Sequence, residues 1–344
     1  MKAVVIERPH EIAWREVEPP VGGADDVLIR SQKTGVCRTD IEVFQGELEE
    51  RWVTYPCIPG HEWSGTVAEV GRNVSEFRPG DRVVSEGMIP CNRCRRCRKG
   101  ETNLCENYDQ LGFTRGGGYG ELVLAPRHVV HRLPDHVSFE SGVLIEPASC
   151  VLRAFERTRP QAGEAIGVVG IGTLGSIAVQ LARLFAPRTI VAYGIRPDEL
   201  AFAERLGVDH VVNVADADGE EETMRLLGEA LDVVIETAGA VPAVELATRV
   251  VREGGRVGLL GIAGEGRMLE LPADRIALRD IEVSGVVSYT SAVWTAMMRL
   301  VEAGLVDLDR IVTHRFPAGE FHEAFALMDQ REGNVVKILL EHAA

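Results

Sequence analysis

Positive charge and long apolar runs are both scarce in this chain. Thirty-seven Lys and Arg stand against 52 Asp and Glu, a formal charge of −15, which argues against wholesale binding to nucleic acid or to an anionic membrane. Only residues 165–182 are long and uncharged enough to resemble a membrane span. Their four glycines, Gln180 and the Arg183 just beyond read instead as a strand, a turn and a helix. The opening Met1-Lys2-Ala3-Val4-Val5-Ile6-Glu7 meets an acid too early for the apolar core of a signal peptide, so a cytoplasmic protein is expected. No internal repeat or low-complexity tract is present. What is present is an ordinary globular composition, 45% hydrophobic and 26% charged, which excludes disorder, collagen and small disulfide scaffolds. At 344 residues two domains are expected rather than one.

The first stretch is rich in short β-like runs, such as Val27-Leu28-Ile29, Arg82-Val83-Val84 and Leu122-Val123-Leu124, broken by turns such as Arg78-Pro79-Gly80-Asp81. This pattern reads as an irregular β-barrel over residues 1–148. From 149 to 286 apolar strand-like runs (165–169, 189–193, 210–214, 232–236, 256–260 and 282–286) alternate with helical segments, among them 176–184 and the amphipathic 198–206 and 241–253. Such alternation implies a doubly wound parallel sheet. Residues 287–344 return to mixed helix and strand, with Val335-Val336-Lys337-Ile338-Leu339-Leu340 expected to pack back on the first domain. The fold class is therefore α/β, a β-barrel domain joined to a Rossmann sheet.

Seven cysteines in a reducing compartment are expected as thiols or metal ligands rather than disulfides. Cys91-x-x-Cys94-x-x-Cys97 followed by Cys105 has the spacing for four thiolates around one tetrahedral ion. Zinc suits four sulfurs, although iron–sulfur clusters use similar runs. Arg93, Arg95, Arg96, Arg98 and Lys99 interleave with the ligands, as expected where four thiolates leave a zinc site with about two net negative charges. A nucleic-acid zinc knuckle is the rival reading, and the overall acidity weakens it. With every position filled by sulfur, this metal is structural.

Gly170-Ile171-Gly172-Thr173-Leu174-Gly175 is a GxGxxG that follows an apolar strand and opens a helix, the context of a dinucleotide fingerprint. The helix N-terminus there favours a pyrophosphate; the plain alternative is a tight turn without a ligand. An NAD-binding unit places an acid about 20 residues further on. Here that position is Gly194, with Arg196 following. No carboxylate is left at the strand end to bond a ribose 2′-hydroxyl, and a guanidinium is available to a 2′-phosphate. NADP(H) is expected over NAD(H), the alternative being that Asp198 or Glu199 serves the ribose. Gly60-His61-Glu62, with Cys37-Arg38-Thr39-Asp40 upstream, supplies the donor types of a second, catalytic zinc, which keeps three protein ligands and an open position.

Cys37, Gly60-His61-Glu62, the cysteine tetrad and the glycine fingerprint occur in this order in the zinc-dependent medium-chain alcohol dehydrogenases, and the chain resembles that family over essentially its whole length. The resemblance implies a GroES-like barrel carrying the catalytic zinc and a Rossmann domain across a cleft from it. Cys37 and His61 then become catalytic zinc ligands, and Glu62 the acidic ligand or exchange partner. Glu146, in Leu144-Ile145-Glu146-Pro147, matches the glutamate that the polyol and sugar branch holds at the metal. Cys150 and Cys57 get the core reading. Asp40 resembles the carboxylate that orients the ligand histidine, and Thr39 the hydroxyl that receives the substrate proton. Arg38 and Lys337 match pyrophosphate contacts. Two departures stand out. Glu42 replaces the histidine that many relatives use to pass the proton outward, and Met88, in Ser85-Glu86-Gly87-Met88-Ile89, stands where threonine dehydrogenases carry histidine.

The activity implied is reversible hydride transfer between NADP(H) and a secondary alcohol on a polyol, sugar, cyclitol or amino alcohol, with two zincs per chain, in a homodimer or homotetramer that binds neither nucleic acid nor membrane. The rivals are a catalytically silent zinc- and nucleotide-binding sensor or scaffold, and a zinc-free NADPH-dependent enone or quinone reductase.

Overall fold

The computed structural model describes residues 1–264, 266–330 and 333–343. The chain forms two compact units, one of residues 1–146 with 290–344 and one of residues 147–289. The first opens with an antiparallel pair, β1 (Lys2–Arg8) and β2 (Glu11–Glu16). Its organising strand is β3 (Asp26–Val36), in which buried Val27, Ile29 and Ser31 alternate with more exposed neighbours, the period of a half-buried sheet. Helix α1 (Arg38–Gln45) follows at once, then β4 (Trp63–Val70) and β5 (Arg82–Ser85), the short α2 (Arg95–Arg98), and β6 (Leu122–Pro126) with β7 (Val130–Arg132). Strand β3 pairs antiparallel with both β4 and β6. The inward side chains Val27, Ile29, Trp63, Val67, Val83, Leu111 and Val123 form one buried cluster. Helix α3 (Phe139–Thr158) runs from the first unit into the second, with Pro147 inside it.

The second unit alternates as its sequence suggests. Strands β8 (Ala165–Val169), β9 (Thr189–Gly194), β10 (His210–Asn213), β11 (Leu231–Glu236), β12 (Val251–Leu259) and β13 (Glu282–Gly285) are separated by α4 (Thr173–Arg183), α5 (Pro197–Leu206), α6 (Gly219–Leu227), α7 (Val241–Val250) and α8 (Asp274–Leu278). The six strands are parallel in the order β10-β9-β8-β11-β12-β13. Strand β8, buried at every position, is covered on both faces, which is why it reads as an unbroken apolar run. The order reverses beside it, between β9 and β11, so the turn after β8 lies at the topological switch point where such sheets bind ligands. One expectation is corrected here. The amphipathic stretch 241–253 does not stay helical: α7 stops at Val250 and β12 starts at Val251, because the β-branched pair and the Gly254-Gly255 that follows favour extended and turning backbone.

Helix α9 (Ser291–Glu302), β14 (Val312–Pro317), α10 (Phe321–Gln330) and β15 (Lys337–Glu341) belong to the first unit. Strand β15 pairs antiparallel with β3, Ile338 facing Val36 and Leu340 facing Thr34. No helix among the described residues is long and apolar enough to cross a membrane, and 165–182 divides into β8, a turn and most of α4. Leu111 is fully buried in the barrel cluster, so Leu111→Ala is expected to cost about 2–5 kcal/mol, read from the denaturant midpoint of the purified chain.

Candidate functional site

Among the described residues, two groups bring ligand atoms within 4.8 Å of one another: Cys91, Cys94, Cys97 and Cys105, and Cys37, His61 and Glu62. The seven cysteines form no disulfide. In the tetrad, backbone N–H groups point at sulfur: Cys94 N–H donates to Cys91 Sγ, Cys97 N–H to Cys94 Sγ and Cys91 N–H to Cys105 Sγ, each at 3.4 Å. Asn107 adds a bond to Cys91 Sγ at 3.3 Å. Donation from the Arg93 and Cys94 backbone lowers the Cys91 thiol to about 6, whereas burial and the neighbouring sulfurs push Cys97 up to about 12. Four thiolates together require a cation, and the donor set fits zinc. The lobe is tethered from behind. Ser291 N–H donates to the Thr102 hydroxyl at 2.9 Å, and the Ser291 hydroxyl and His131 Nε2 both engage the buried Glu86 carboxylate, at 2.7 and 3.0 Å.

The second group is built where β3 hands over to α1. Cys37 is the N-cap of α1 with extended φ and ψ, and Asp40 closes a capping box with it. Cys37 N–H donates to Asp40 Oδ2 at 2.9 Å. Asp40 is 1% exposed and also receives Tyr119 O–H at 3.1 Å and Gly60 N–H at 3.3 Å. Its Oδ1 lies 3.4 Å from His61 Nδ1, close enough to attract although the geometry falls short of a hydrogen bond, for Nδ1 has no such partner. Burial works against a charged His61, but Asp40 and then Cys37 outweigh it and hold the imidazole well above its usual range. Neighbours that favour positive charge here, Asp40 buried and Cys37 half-buried, suit a metal cation. Gly60, at φ +93°, is needed at the turn before His61, since a Cβ there would come within 2.4 Å of the Tyr119 ring. The loop with Gly116-Gly117-Gly118 is tightly turned: Gly117 N–H donates to Ile58 O and Gly118 N–H to Gly60 O, both at 2.8 Å.

In the second unit the three glycines of the fingerprint do different work. Gly170 turns the chain at φ +88°. Gly172, the N-cap of α4, has open space around it, and at Gly175 a Cβ would lie 1.9 Å from Gly170 O. Thr173 and Leu174 begin α4, whose first turn has no acid. The turn thus leaves room for a phosphate at a helix N-terminus. Gly194 ends β9, packed so that a Cβ would sit 3.0 Å from Leu200.

The sequence matches the alcohol dehydrogenase GroES-like domain over residues 23–135 and the zinc-binding dehydrogenase domain over residues 173–303. It is 33% identical to the L-threonine 3-dehydrogenase of Rhizobium etli, covering 99% of this chain and 98% of that one. It is 34% identical to the enzyme of the same name from Chelativorans sp., with the same coverage. The chain belongs to the zinc-dependent medium-chain alcohol dehydrogenase family. Among solved structures, this dehydrogenase superposes with a TM-score of 0.92 on a protein assigned as a zinc-binding dehydrogenase from Sinorhizobium meliloti, bound to NADP, at 31% identity over 99% and 98% of the two chains. On the galactitol-1-phosphate dehydrogenase of Escherichia coli the TM-score is 0.89, at 27% identity over 99% and 100%. Members of this family are oxidoreductases acting on CH–OH donors.

The fold also places the other candidate residues of this dehydrogenase. Lys337 lies inside the first unit, beside Glu62. It is 1% exposed and its ammonium is paired with Glu62 and donates to Val36 O at 3.1 Å, because β15 returns beside β3 and delivers it there. Burial disfavours its charge, but Glu62 raises its affinity for the proton overall. Gly35 leaves the space for this pair, as a Cβ there would lie 2.2 Å from Glu62 Oε2. Glu146, though buried, lies outside the set formed by Cys37, His61 and Glu62. Cys150 is half-buried rather than core, whereas Cys57 is buried and burial pushes its thiol up to about 12. Arg38 pairs with Asp329 at 3.0 Å and lies 3.9 Å from Glu42, and burial raises the Glu42 carboxyl. The Thr39 hydroxyl is 3.8 Å from Cys37 Sγ.

Sequence reasoning missed Tyr119, a bare aromatic after a glycine run, and Glu236. The latter is fully buried at the C-terminal end of β11, accepting N–H from Ala238 and Gly239 at 2.7 and 2.8 Å, and burial raises its carboxyl. An acid closing the apolar run Val233-Val234-Ile235 was its one visible signal. Lys337→Met leaves Glu62 buried without its cation and is expected to cost about 3–5 kcal/mol. Adding Glu62→Gln should recover most of that loss in denaturant unfolding.

Proposed function

We propose that this chain is an NADP(H)-linked zinc dehydrogenase that oxidises a secondary alcohol of a polyol, sugar, cyclitol or amino alcohol. The observation that carries the reading is the convergence of half-buried Cys37 with buried His61 and Glu62, their ligand atoms within 4.8 Å of one another. Cys37 and His61 would hold the catalytic zinc, with Glu62 or Glu146 as the acidic ligand, and the four sulfurs of Cys91, Cys94, Cys97 and Cys105 a second, structural one. Zinc supplies Lewis acidity to an alcohol oxygen, and a nicotinamide dinucleotide supplies the hydride acceptor. The protein holds these in place. Asp40 orients His61 and fixes the start of α1, which sets the Cys37 sulfur and the Thr39 hydroxyl on the same turn. Thr39 would relay the proton that the alcohol loses, its hydroxyl taking that proton as it gives up its own toward solvent. Glu42, one turn further along α1 with its carboxyl raised by burial, is a group that could pass that proton outward. Lys337 competes with a metal for the Glu62 carboxylate, and Glu62 is the acid that stands with Cys37 and His61.

The missing strand-end carboxylate at Gly194 and the guanidinium at Arg196 support NADP(H), and the NADP-bound S. meliloti relative agrees with that choice. The polyol side of the substrate range is favoured by Met88, which departs from the threonine enzymes. The ligand set speaks against a zinc-free reductase or a silent scaffold. Association through the open edge β13 is supported by Leu278 and Val287, which are 81% and 54% exposed near it. A homodimer or homotetramer is expected in light scattering, and a cytoplasmic location fits the cysteine usage.

The test is initial-rate oxidation of polyols, sugars, cyclitols, amino alcohols including threonine, and simple alcohols, with NADP and with NAD, on protein of measured zinc content. A selective hit with NADP is expected; a clear NAD advantage would sink the cofactor assignment. Cys37→Ser should lose one of two zincs by elemental analysis and lower kcat by about a thousandfold or more, with the melting transition retained. Full turnover in that variant would refute the metal mechanism.

A further inference from the structure

The strand end that carries Gly194 holds an interaction that the NADP reading does not use. Arg196 is the N-cap of α5, and Asp198 and Glu199 occupy that helix's first turn. The guanidinium is engaged two-pronged by one carboxylate: Nε lies 3.2 Å from Asp198 Oδ1 and Nη2 lies 2.7 Å from Oδ2. Glu199 stands further off, with Oε1 3.6 Å from Nε. The Arg196 and Asp198 side chains are 27% and 34% exposed, too sheltered for water to screen the pair fully. Both acids are also favoured where they are by the positive end of α5. One guanidinium faces two carboxylates, so a phosphate approaching Arg196 meets an already neutralised cation and a net negative charge.

We propose that Asp198 is a specificity-determining clamp on Arg196. It holds the guanidinium against the start of α5, so that a 2′-phosphorylated dinucleotide has to displace a bidentate carboxylate to gain the same two N–H donors. The clamp weakens NADP(H) selectively, because a ligand with a plain 2′-hydroxyl leaves the pair intact. It thereby narrows the gap between the two cofactors that Gly194 and Arg196 would otherwise set. The proposal rests on the assignment of Arg196 as the 2′-phosphate partner.

Binding of adenosine 2′,5′-bisphosphate and of adenosine 5′-monophosphate to the full chain, followed by calorimetry, tests the clamp without turnover. Asp198→Asn is expected to tighten the bisphosphate about five- to tenfold and to leave the monophosphate unchanged. The gain should vanish when Arg196→Leu is added. Asp198→Ser, which keeps a helix-starting side chain but cannot engage the guanidinium two-pronged, should behave like Asp198→Asn. No tightening in either variant, while Arg196→Leu alone still weakens the bisphosphate, overturns the clamp and leaves the NADP reading standing. A gain that persists without Arg196 is general charge relief and also overturns it. If Arg196→Leu alone leaves bisphosphate binding unchanged, the NADP reading fails and the clamp with it.

Discussion

The Asp40 carboxylate is the constraint on which the first unit's site depends. It sits at the third position of α1, so the start of that helix places it, and from there it reaches three separate parts of the chain. It accepts the Cys37 N–H, the Gly60 N–H and the Tyr119 hydroxyl, and it faces His61. An ionised carboxylate with several donors is a strong hub because charge-assisted bonds are the strong ones. A buried one is costly unless such donors are supplied. The two halves of the donor set, Cys37 after β3 and His61 before β4, are therefore held by one group that coordinates nothing itself.

Around that hub the charges compensate in pairs, and the topology decides which pairs form. Antiparallel β15 sets Ile338 opposite Val36, which puts the preceding residue, Lys337, at the end of β3 beside Glu62. A lysine that is 1% exposed tolerates that position only with an anion in contact. The C-terminal return of the chain is thus part of the chemistry of the site, since it neutralises one of the candidate metal donors. The cysteine tetrad differs in kind. Its ligands come from one short segment and its N–H donors are local, while the Thr102–Ser291–Glu86 tether reaches distant chain.

This difference explains what could be read from the sequence. Motifs whose geometry is local were legible: the tetrad, the glycine turn and the alternating strands of the parallel sheet, each specified within about 15 residues. Cys37, His61 and Glu62 were also found, though on residue type and order rather than on any local spacing. What escaped was pairing across long separations. Nothing near Lys337 says that Glu62, 275 residues away, is its partner, and its assignment to a pyrophosphate came from the family resemblance. Tyr119 was missed for the same reason, its partner Asp40 being 79 residues distant. The helix expected over 241–253 failed differently, since amphipathic period alone does not register where β-branched residues and a Gly-Gly pair turn the backbone extended.

Arg196 shows the limit of reading a charge by its sign. In the sequence it is a cation beside an absent acid, and that alone points to a 2′-phosphate. In the fold the same cation heads a helix whose first turn carries two acids, and the nearer of them engages it two-pronged. Helix α5 draws carboxylates to its N-terminus for its own stability, and those carboxylates then compete with any phosphate for the guanidinium. The local stability of α5 and the choice of cofactor are therefore coupled through Asp198. Cofactor preference at such a strand end is a difference between two pairings of one arginine, rather than a property of the arginine alone.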